Sequence, residues 1–179
     1  MSERTDVLAK DAHARIGRHA PGAGGSYLVE VNLKRDFCDA DGLSALWMLH
    51  CAGVTAARAV RVGRLYELRG NLNLGHVQVA ARELLCDGVT QEFRVGLPAA
   101  SPDGGGCWRV EVWLKATVTD AVGESVRGAL IELGLPDPSV RCGAAYHIAG
   151  KCNRNQLEKA VVRFLANSII HRFSVSAEN

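Results

Sequence analysis

The sequence lacks long hydrophobic runs and has almost no excess charge, and both absences exclude classes of function. No stretch approaches the roughly 18 consecutive apolar residues that a membrane-spanning helix needs. The formal net charge of the 179 residues is +2, whereas proteins dedicated to nucleic acids or membrane surfaces usually have a larger basic excess. Residues 1–26 contain no apolar segment of the kind found in secretory signals. We therefore expect a cytoplasmic protein that binds neither nucleic acid nor membrane.

Metal-binding and catalytic motifs are also missing. The six cysteines contain no C-x-x-C pair, and the six histidines contain no H-E-x-x-H motif. No nucleophile is paired with a candidate general base in a recognisable spacing. We expect reduced cysteines, no metal site, no cofactor held by this chain and no catalytic residue of its own.

The sequence has instead an internal repeat. Residues 29–34 read VEVNLK, and residues 110–115, which lie 81 positions later, read VEVWLK. Residues 60–63 (VRVG) return as residues 140–143 (VRCG) at an offset of 80. The period is too long for a solenoid, whose units have about 20–50 residues, and one copy alone is near the lower size limit for a stable core. We therefore expect two copies of a small domain that bury surface on each other.

The composition sets the expected boundaries of the two copies. Residues 1–26 are rich in Ala, Arg, Gly and His and predict a flexible leader. Residues 96–107 are rich in Gly and Pro and predict a linker. The two domains are therefore expected at residues 27–95 and 108–179.

Hydrophobic periodicity predicts the same elements in both copies. An alternating strand opens each copy, and a helix follows with Asp39 or Asp120 as its N-cap and Gly53 or Gly134 just after its end. An extended stretch, a second helix and a last strand complete the order β-α-β(β)-α-β. This order predicts an α+β fold of the ferredoxin-like type, in which two helices cover one face of an antiparallel sheet. We expect the second copy to cover the other face, so that the two tandem domains pack as an intrachain pseudo-dimer.

Some residues are kept at matched positions in both copies, which indicates a shared constraint. They are Arg61, Gly63 and Tyr66 in the first copy and Arg141, Gly143 and Tyr146 in the second. One interpretation is structural: the glycine relieves a bend in the strand, the tyrosine packs and the arginine pairs with a carboxylate. The other interpretation is a polar contact surface for a partner.

A second candidate contact is Trp113, which replaces Asn32 on a strand face that we expect to be solvated. A large exposed aromatic side chain is typical of an interface anchor, although packing against the other copy would explain it equally well. Glu30 and Glu111 recur on the same face and are interpreted as solvated residues.

The order of these motifs resembles that of the PurS subunit family of phosphoribosylformylglycinamidine synthase. The family pattern has a V-x-V-x-L-K strand, an acidic-then-glycine helix start, the run V-R-x-G-K/R-x-Y/F and the run L-L-A-N-P-V-I-E before the last strand. The second copy resembles this pattern over residues 108–175 and the first copy over residues 27–95.

The resemblance implies a non-catalytic subunit of a ligase complex in de novo purine biosynthesis. PurS-like subunits form homodimers or higher oligomers and bridge a synthetase, PurL, to a glutaminase, PurQ, so that ammonia passes between their active sites. ATP, Mg and glutamine are used by those partners. One chain would here supply both halves of the dimer, and the resemblance leaves room for a homo-oligomer of this pseudo-dimer.

Several positions depart from the family pattern. The basic residue that follows Arg-x-Gly is Arg64 in the first copy but Ala144 in the second. The other departures fall in the last motif: Asp87-Gly88 and Asn167-Ser168 replace Asn-Pro, and Gln91 and His171 replace the glutamate. These departures predict partner contacts that differ between the copies, with Arg64, Asn167 and His171 added to the candidate interface.

The main alternative is an ACT-like regulatory module that binds a small amino acid or nucleotide between the two copies. Such a module has a glycine-containing loop after its first strand, and residues 35–38 and 116–119 contain no glycine. RNA binding is less consistent with the sequence, because the predicted sheet lacks the paired aromatic residues that stack on bases.

Overall fold

Two halves with the same order of elements make up the computed structural model, which describes residues 25–96 and 106–178. The first half contains β1 (Gly25–Leu33), α1 (Ala40–Cys51), β2 (Ala57–Gly70), α2 (Leu74–Ala80) and β3 (Gln91–Val95). The second half contains β4 (Cys107–Leu114), α3 (Ala121–Glu132), β5 (Ser139–Gly150), α4 (Arg154–Ala160) and β6 (His171–Glu178). A π-helical turn continues α2 at Ala81–Leu85 and α4 at Val161–Leu165. The predicted α+β class and the predicted order of elements are confirmed.

The predicted leader and linker fall almost wholly outside the described residues. Of residues 1–26, only Gly25 and Ser26 are described, and they begin β1. Of residues 96–107, only the two ends are described. The leader and the linker therefore stay predictions.

All six strands form one antiparallel sheet in the order β3-β1-β2-β5-β4-β6. The two halves meet where β2 pairs with β5, and at the centre of this pairing Arg64 lies opposite Ala144. These two residues occupy equivalent positions in the repeat, so a pseudo-two-fold axis passes between them. The halves thus join edge to edge, and the expectation that the second copy covers the open face of the first was wrong. The long strands β2 and β5 each have a free edge whose backbone groups need partners, and pairing the two edges satisfies both.

Each half nevertheless contributes a helix to the core of the other. Leu49 of α1 is fully buried in a cluster whose other members include Ile148 and Leu157 of the second half. Leu130 of α3 is fully buried in a cluster with Leu68 and other residues of the first half. Burying one leucine side chain stabilises a fold by about 2 kcal/mol. The expectation that the copies bury surface on each other is therefore confirmed, although each core is shared across the central strands.

The predicted helix ends are also confirmed. Asp39 caps α1 by accepting a hydrogen bond from the backbone N–H of Gly42 at 2.7 Å, and Asp120 caps α3 in the same way through Gly123 at 2.8 Å. Each carboxylate also accepts from a backbone N–H of the central strands, at Val62 and at Cys142 respectively. Each cap therefore fixes the start of a helix directly against β2 or β5.

The two matched glycines make room for a side chain of the neighbouring strand. Gly63 pairs with Asn32 of β1, and Gly143 pairs with Trp113 of β4. A Cβ on Gly63 would collide with the Asn32 side chain, and a Cβ on Gly143 would lie 2.7 Å from the Trp113 ring. Both strands continue without a break through these positions, and the interpretation that the glycine relieves a bend stays a prediction.

This packing predicts that Gly63→Ala lowers the free energy of unfolding by about 1–3 kcal/mol, because the added methyl group overfills the space above the strand. The closest atoms all belong to the side chains of Asn32 and Glu30. A second substitution, Asn32→Ala, is therefore expected to recover part of the loss. Chemical denaturation of the single and double variants measures both effects.

Gly128→Ala is the matched control for this experiment. Gly128 lies in α3, and a Cβ there would have no neighbour within 4 Å. Alanine favours a helix over glycine by about 0.8–1 kcal/mol, so this variant should be as stable as the wild type or more stable. Equal losses at Gly63 and Gly128 would contradict the steric explanation.

Candidate functional site

The matched arginines, Arg61 and Arg141, bind backbone carbonyls at the end of the first strand of each half. Arg61 donates a hydrogen bond to the carbonyl of Leu33, and its Nε lies 3.7 Å from the carboxylate of Asp39. Arg141 donates to the carbonyl of Leu114 at 2.7 Å. Both guanidinium groups therefore have intramolecular partners, as the structural interpretation of the repeat expects. A role of these arginines in binding a partner stays a prediction.

Trp113 is buried, with 9% of its surface exposed, and it packs in a cluster with Leu65, Ala145 and Leu28. Its indole N–H donates to Glu111 at 3.1 Å. Leu28 and Leu65 belong to the first half, so packing against the other copy explains this residue. The expectation of a large exposed aromatic on a solvated strand face was wrong.

The same face of the sheet, opposite the described helices, holds a buried ionic cluster that sequence reasoning missed. Glu30 and Arg109 are 1% and 4% exposed, and Arg109 Nη1 lies 2.8 Å from Glu30 Oε2. Arg109 Nε also contacts Glu111 Oε1 at 2.8 Å, and His147 Nε2 lies 2.5 Å from Glu30 Oε1. The cluster therefore joins β1 of the first half to β4 and β5 of the second, and the interpretation of Glu30 as a solvated residue was wrong.

Glu30 is held in its charged form by these neighbours. Burial alone would raise the pKa of Glu30. The hydrogen bond from His147, the positive charges of His147 and Arg109 and a hydrogen bond from Asn32 outweigh burial and lower this pKa from 4.5 to about 2. The cluster is thus a paired ionic contact between the halves at neutral pH.

Two loops at equivalent positions expose a large aliphatic side chain. Val89 precedes β3 and is 74% exposed, and Ile169 precedes β6 and is 79% exposed. Lys34 donates to the carbonyls of Gly88 and Val89 at 2.6 and 2.9 Å, and Lys115 donates to the carbonyl of Ser168 at 2.6 Å. The lysine of the repeated strand motif therefore holds each loop in place.

Different residues make the same internal hydrogen bonds in the two loops. Asp87 Oδ1 accepts from the N–H of Val89 and Asn167 Oδ1 from that of Ile169, both at 2.9 Å. The side chain of Gln91 accepts from the N–H of Asp87 at 2.9 Å, and His171 Nδ1 accepts from that of Asn167 at 3.1 Å. The differences between the two loops thus preserve these hydrogen bonds and change the charge of the loop.

A groove of about 700 Å³ lies on the helix side of the sheet, over the centre of β2 and β5. We call it the central groove. It brings together most of the residues singled out from the sequence, namely Gly63, Arg64, Tyr66, Gly143, Tyr146 and His171. The others are placed elsewhere: Arg61 and Arg141 bind the ends of β1 and β4, Trp113 lies on the opposite face and Asn167 lies in its loop.

Among the described residues, no group of three or more His, Cys, Asp or Glu side chains could hold a metal ion. No helix of residues 25–96 and 106–178 is long and apolar enough to cross a membrane.

The charge state of Glu30 predicts how stability responds to acid. The pKa of Glu30 is lower in the folded chain than in the unfolded one, so its contribution is present above pH 4.5 and is lost as the pH falls towards about 2. The shift corresponds to about 3 kcal/mol. Glu30→Gln should therefore be less stable at neutral pH and should lose less stability on acidification than the wild type, as measured by urea unfolding at several pH values.

Glu83→Gln is the control, because Glu83 is exposed on the π-helical turn after α2. Its stability should fall with pH in parallel with that of the wild type. Parallel curves for Glu30→Gln and the wild type would show that Glu30 is not the group responsible.

Comparison with known proteins relates the second half to one family. The family model PurS, described as phosphoribosylformylglycinamidine (FGAM) synthase, matches residues 107–179. No curated protein matches the chain. The second half is therefore similar to the PurS family, which agrees with the resemblance seen in the sequence and relates this part of the chain to FGAM synthase of purine biosynthesis. The first half lies outside the match, and its relation to the second depends on the sequence repeat and on the shared order of elements.

Proposed function

We propose that this protein is a non-catalytic PurS-type subunit that bridges a PurL-like synthetase and a PurQ-like glutaminase in FGAM synthase and supports ammonia transfer between them. The observation that carries this proposal is the match of residues 107–179 to the PurS family. In the proposed complex the partners use ATP, Mg and glutamine, and this chain supplies in one polypeptide what two PurS-like subunits supply elsewhere.

The two exposed loops suit a bridging role. Because β1, β2, β5 and β4 pair successively in antiparallel fashion, β1 and β4 run in opposite directions. The loops anchored at their ends by Lys34 and Lys115 therefore leave opposite ends of the sheet. A continuous sheet resists bending, so it can hold two contact surfaces at a constant separation, as ammonia transfer between two active sites requires.

The two loops differ in charge, which favours two different partners. The first loop contains the carboxylate of Asp87, whereas the second contains the neutral amide of Asn167 and is followed by His171. Val89 and Ile169 would supply the apolar contact in each interface, and the flanking polar groups would select the partner. Further association of two such chains also stays a prediction.

Reconstitution tests the proposed function. Tagged chain should recover the PurL-like and PurQ-like proteins encoded in the same genome. FGAM formation with glutamine as nitrogen donor should require all three proteins, whereas formation with free ammonia should need only the synthetase. Full glutamine-dependent activity without this chain would contradict the bridging role.

Val89→Asp and Ile169→Asp test the loops themselves. Each charge should weaken binding of one partner by about 5- to 30-fold, because a buried aliphatic contact at an interface is worth on the order of 1–2 kcal/mol. The melting temperature should stay close to that of the wild type, since both side chains are exposed.

Leu43→Asp, at an apolar residue of α1 that is 59% exposed, is the matched control and should leave both affinities unchanged. Affinities are measured by surface plasmon resonance against each partner separately. Unchanged binding of both partners by both loop variants would exclude the loops as the contact surfaces.

A further inference from the structure

The two halves contribute different residues to the lining of the central groove, although the groove lies on the pseudo-two-fold axis. The first half contributes Asp41 and Arg64 to its lining. The equivalent residues of the second half, Val122 and Ala144, line the same groove. A symmetric molecule would present each charge twice. Here one half supplies a cation and an anion, and the other half supplies apolar groups at the matching places.

The two charged side chains of the groove are available to a ligand. Neither Asp41 nor Arg64 has a hydrogen-bond or ion-pair partner within the described ranges, and no ion pair within 4.0 Å joins the two. Asp120, also in the lining, is already bound to the N–H groups of Gly123 and Cys142. The groove therefore offers one unpaired positive group and one unpaired negative group.

The two charges and Tyr146 line the same groove. The charge of Asp41 adds to burial in raising the pKa of Tyr146. Burial and Asp120 raise the pKa of Cys142 to about 12, and the nearby charge of Arg64 acts against that rise. Tyr146 and Cys142 lie on the same face of β5, on either side of Ala144, and Arg64 pairs with Ala144 between them.

The rest of the lining is mainly apolar. It includes Met48 and Val62 of the first half and Val112, Leu114 and Phe164 of the second. Ser44, one turn after Asp41 on α1, adds a hydroxyl. An apolar groove with a few converging polar groups is the usual form of a small-molecule site, and its volume is in the range of such sites.

We propose that the central groove binds a free α-amino acid with an uncharged side chain. Its carboxylate binds Arg64, its ammonium group binds Asp41 beside Tyr146, and its side chain packs against Val122, Leu114 and Phe164. A zwitterion pairs both free charges at once. An anion would leave Asp41 unpaired beside it, and a cation would face Arg64, so neither fits the groove as well.

The experiment uses isothermal titration calorimetry on the full chain with L-leucine and L-glutamine as probes. At least one of them should bind with one site per chain. Two analogues of leucine separate the charges: 4-methylpentanoate lacks the ammonium group and isoamylamine lacks the carboxylate. Each analogue of leucine, and each single-charge variant, Arg64→Ala and Asp41→Asn, should bind at least about tenfold more weakly, since a charge-assisted contact is lost.

Arg58→Ala is the matched control, because Arg58 is exposed on β2 away from the groove. It should bind the probes like the wild type. Ala144→Arg tests the broken symmetry, because it places a second arginine directly opposite Arg64 and should abolish binding. Circular dichroism and thermal melts verify that each variant is folded.

Three results would overturn the proposal. They are no binding of either probe at millimolar concentration, equal binding of the charge-deleted analogues, and unchanged binding by both Arg64→Ala and Asp41→Asn. None of them bears on the bridging role, which the reconstitution with the synthetase and glutaminase measures without reference to the groove.

Discussion

The antiparallel pairing of β2 with β5 is the interaction on which the rest of the structure depends. It converts two three-stranded sheets into one sheet of six strands and brings α1 over the second half and α3 over the first. Leu49 and Leu130 are fully buried in clusters that contain residues of both halves. The copies therefore share their cores. One copy alone would be near the lower size limit for a stable core, and sharing gives each half a larger one.

Joining the halves in one chain allows equivalent residues to diverge. At the axis, Arg64 lies opposite Ala144, whereas two arginines directly opposite each other on adjacent strands would repel. The ionic cluster is similarly one-sided, because the position equivalent to Arg109 is Leu28 and that equivalent to His147 is Glu67. Only the first-half Glu30 can form the buried contact. Divergence of this kind suits a molecule whose two halves meet different partners.

The loops show the opposite behaviour, because their sequences differ while two of their internal hydrogen bonds are the same. Asp87 and Asn167 make the same turn, and Gln91 and His171 accept from the same backbone position. Preserved geometry with altered charge indicates that each loop must hold its aliphatic residue in one place. The bridging role proposed for the protein requires such fixed contact surfaces, and neither Val89 nor Ile169 lines the groove proposed to bind an amino acid.

The sequence by itself determined the order of elements, the helix caps and the resemblance of the second half to the PurS family. These features depend on neighbouring residues, as when Asp39 caps α1 through Gly42 three positions later. Only the tertiary structure decided that the copies meet edge to edge, that Trp113 is buried and that Glu30 is paired. Alternating strands have the same pattern whether their partner covers a face or extends an edge, and the burial of Glu30 depends on Arg109 and His147, which come from strands far along the chain. The asymmetric lining of the central groove also depends on the tertiary structure. Pairing of the two halves across the axis brings Asp41, Arg64, Val122 and Ala144 to one place.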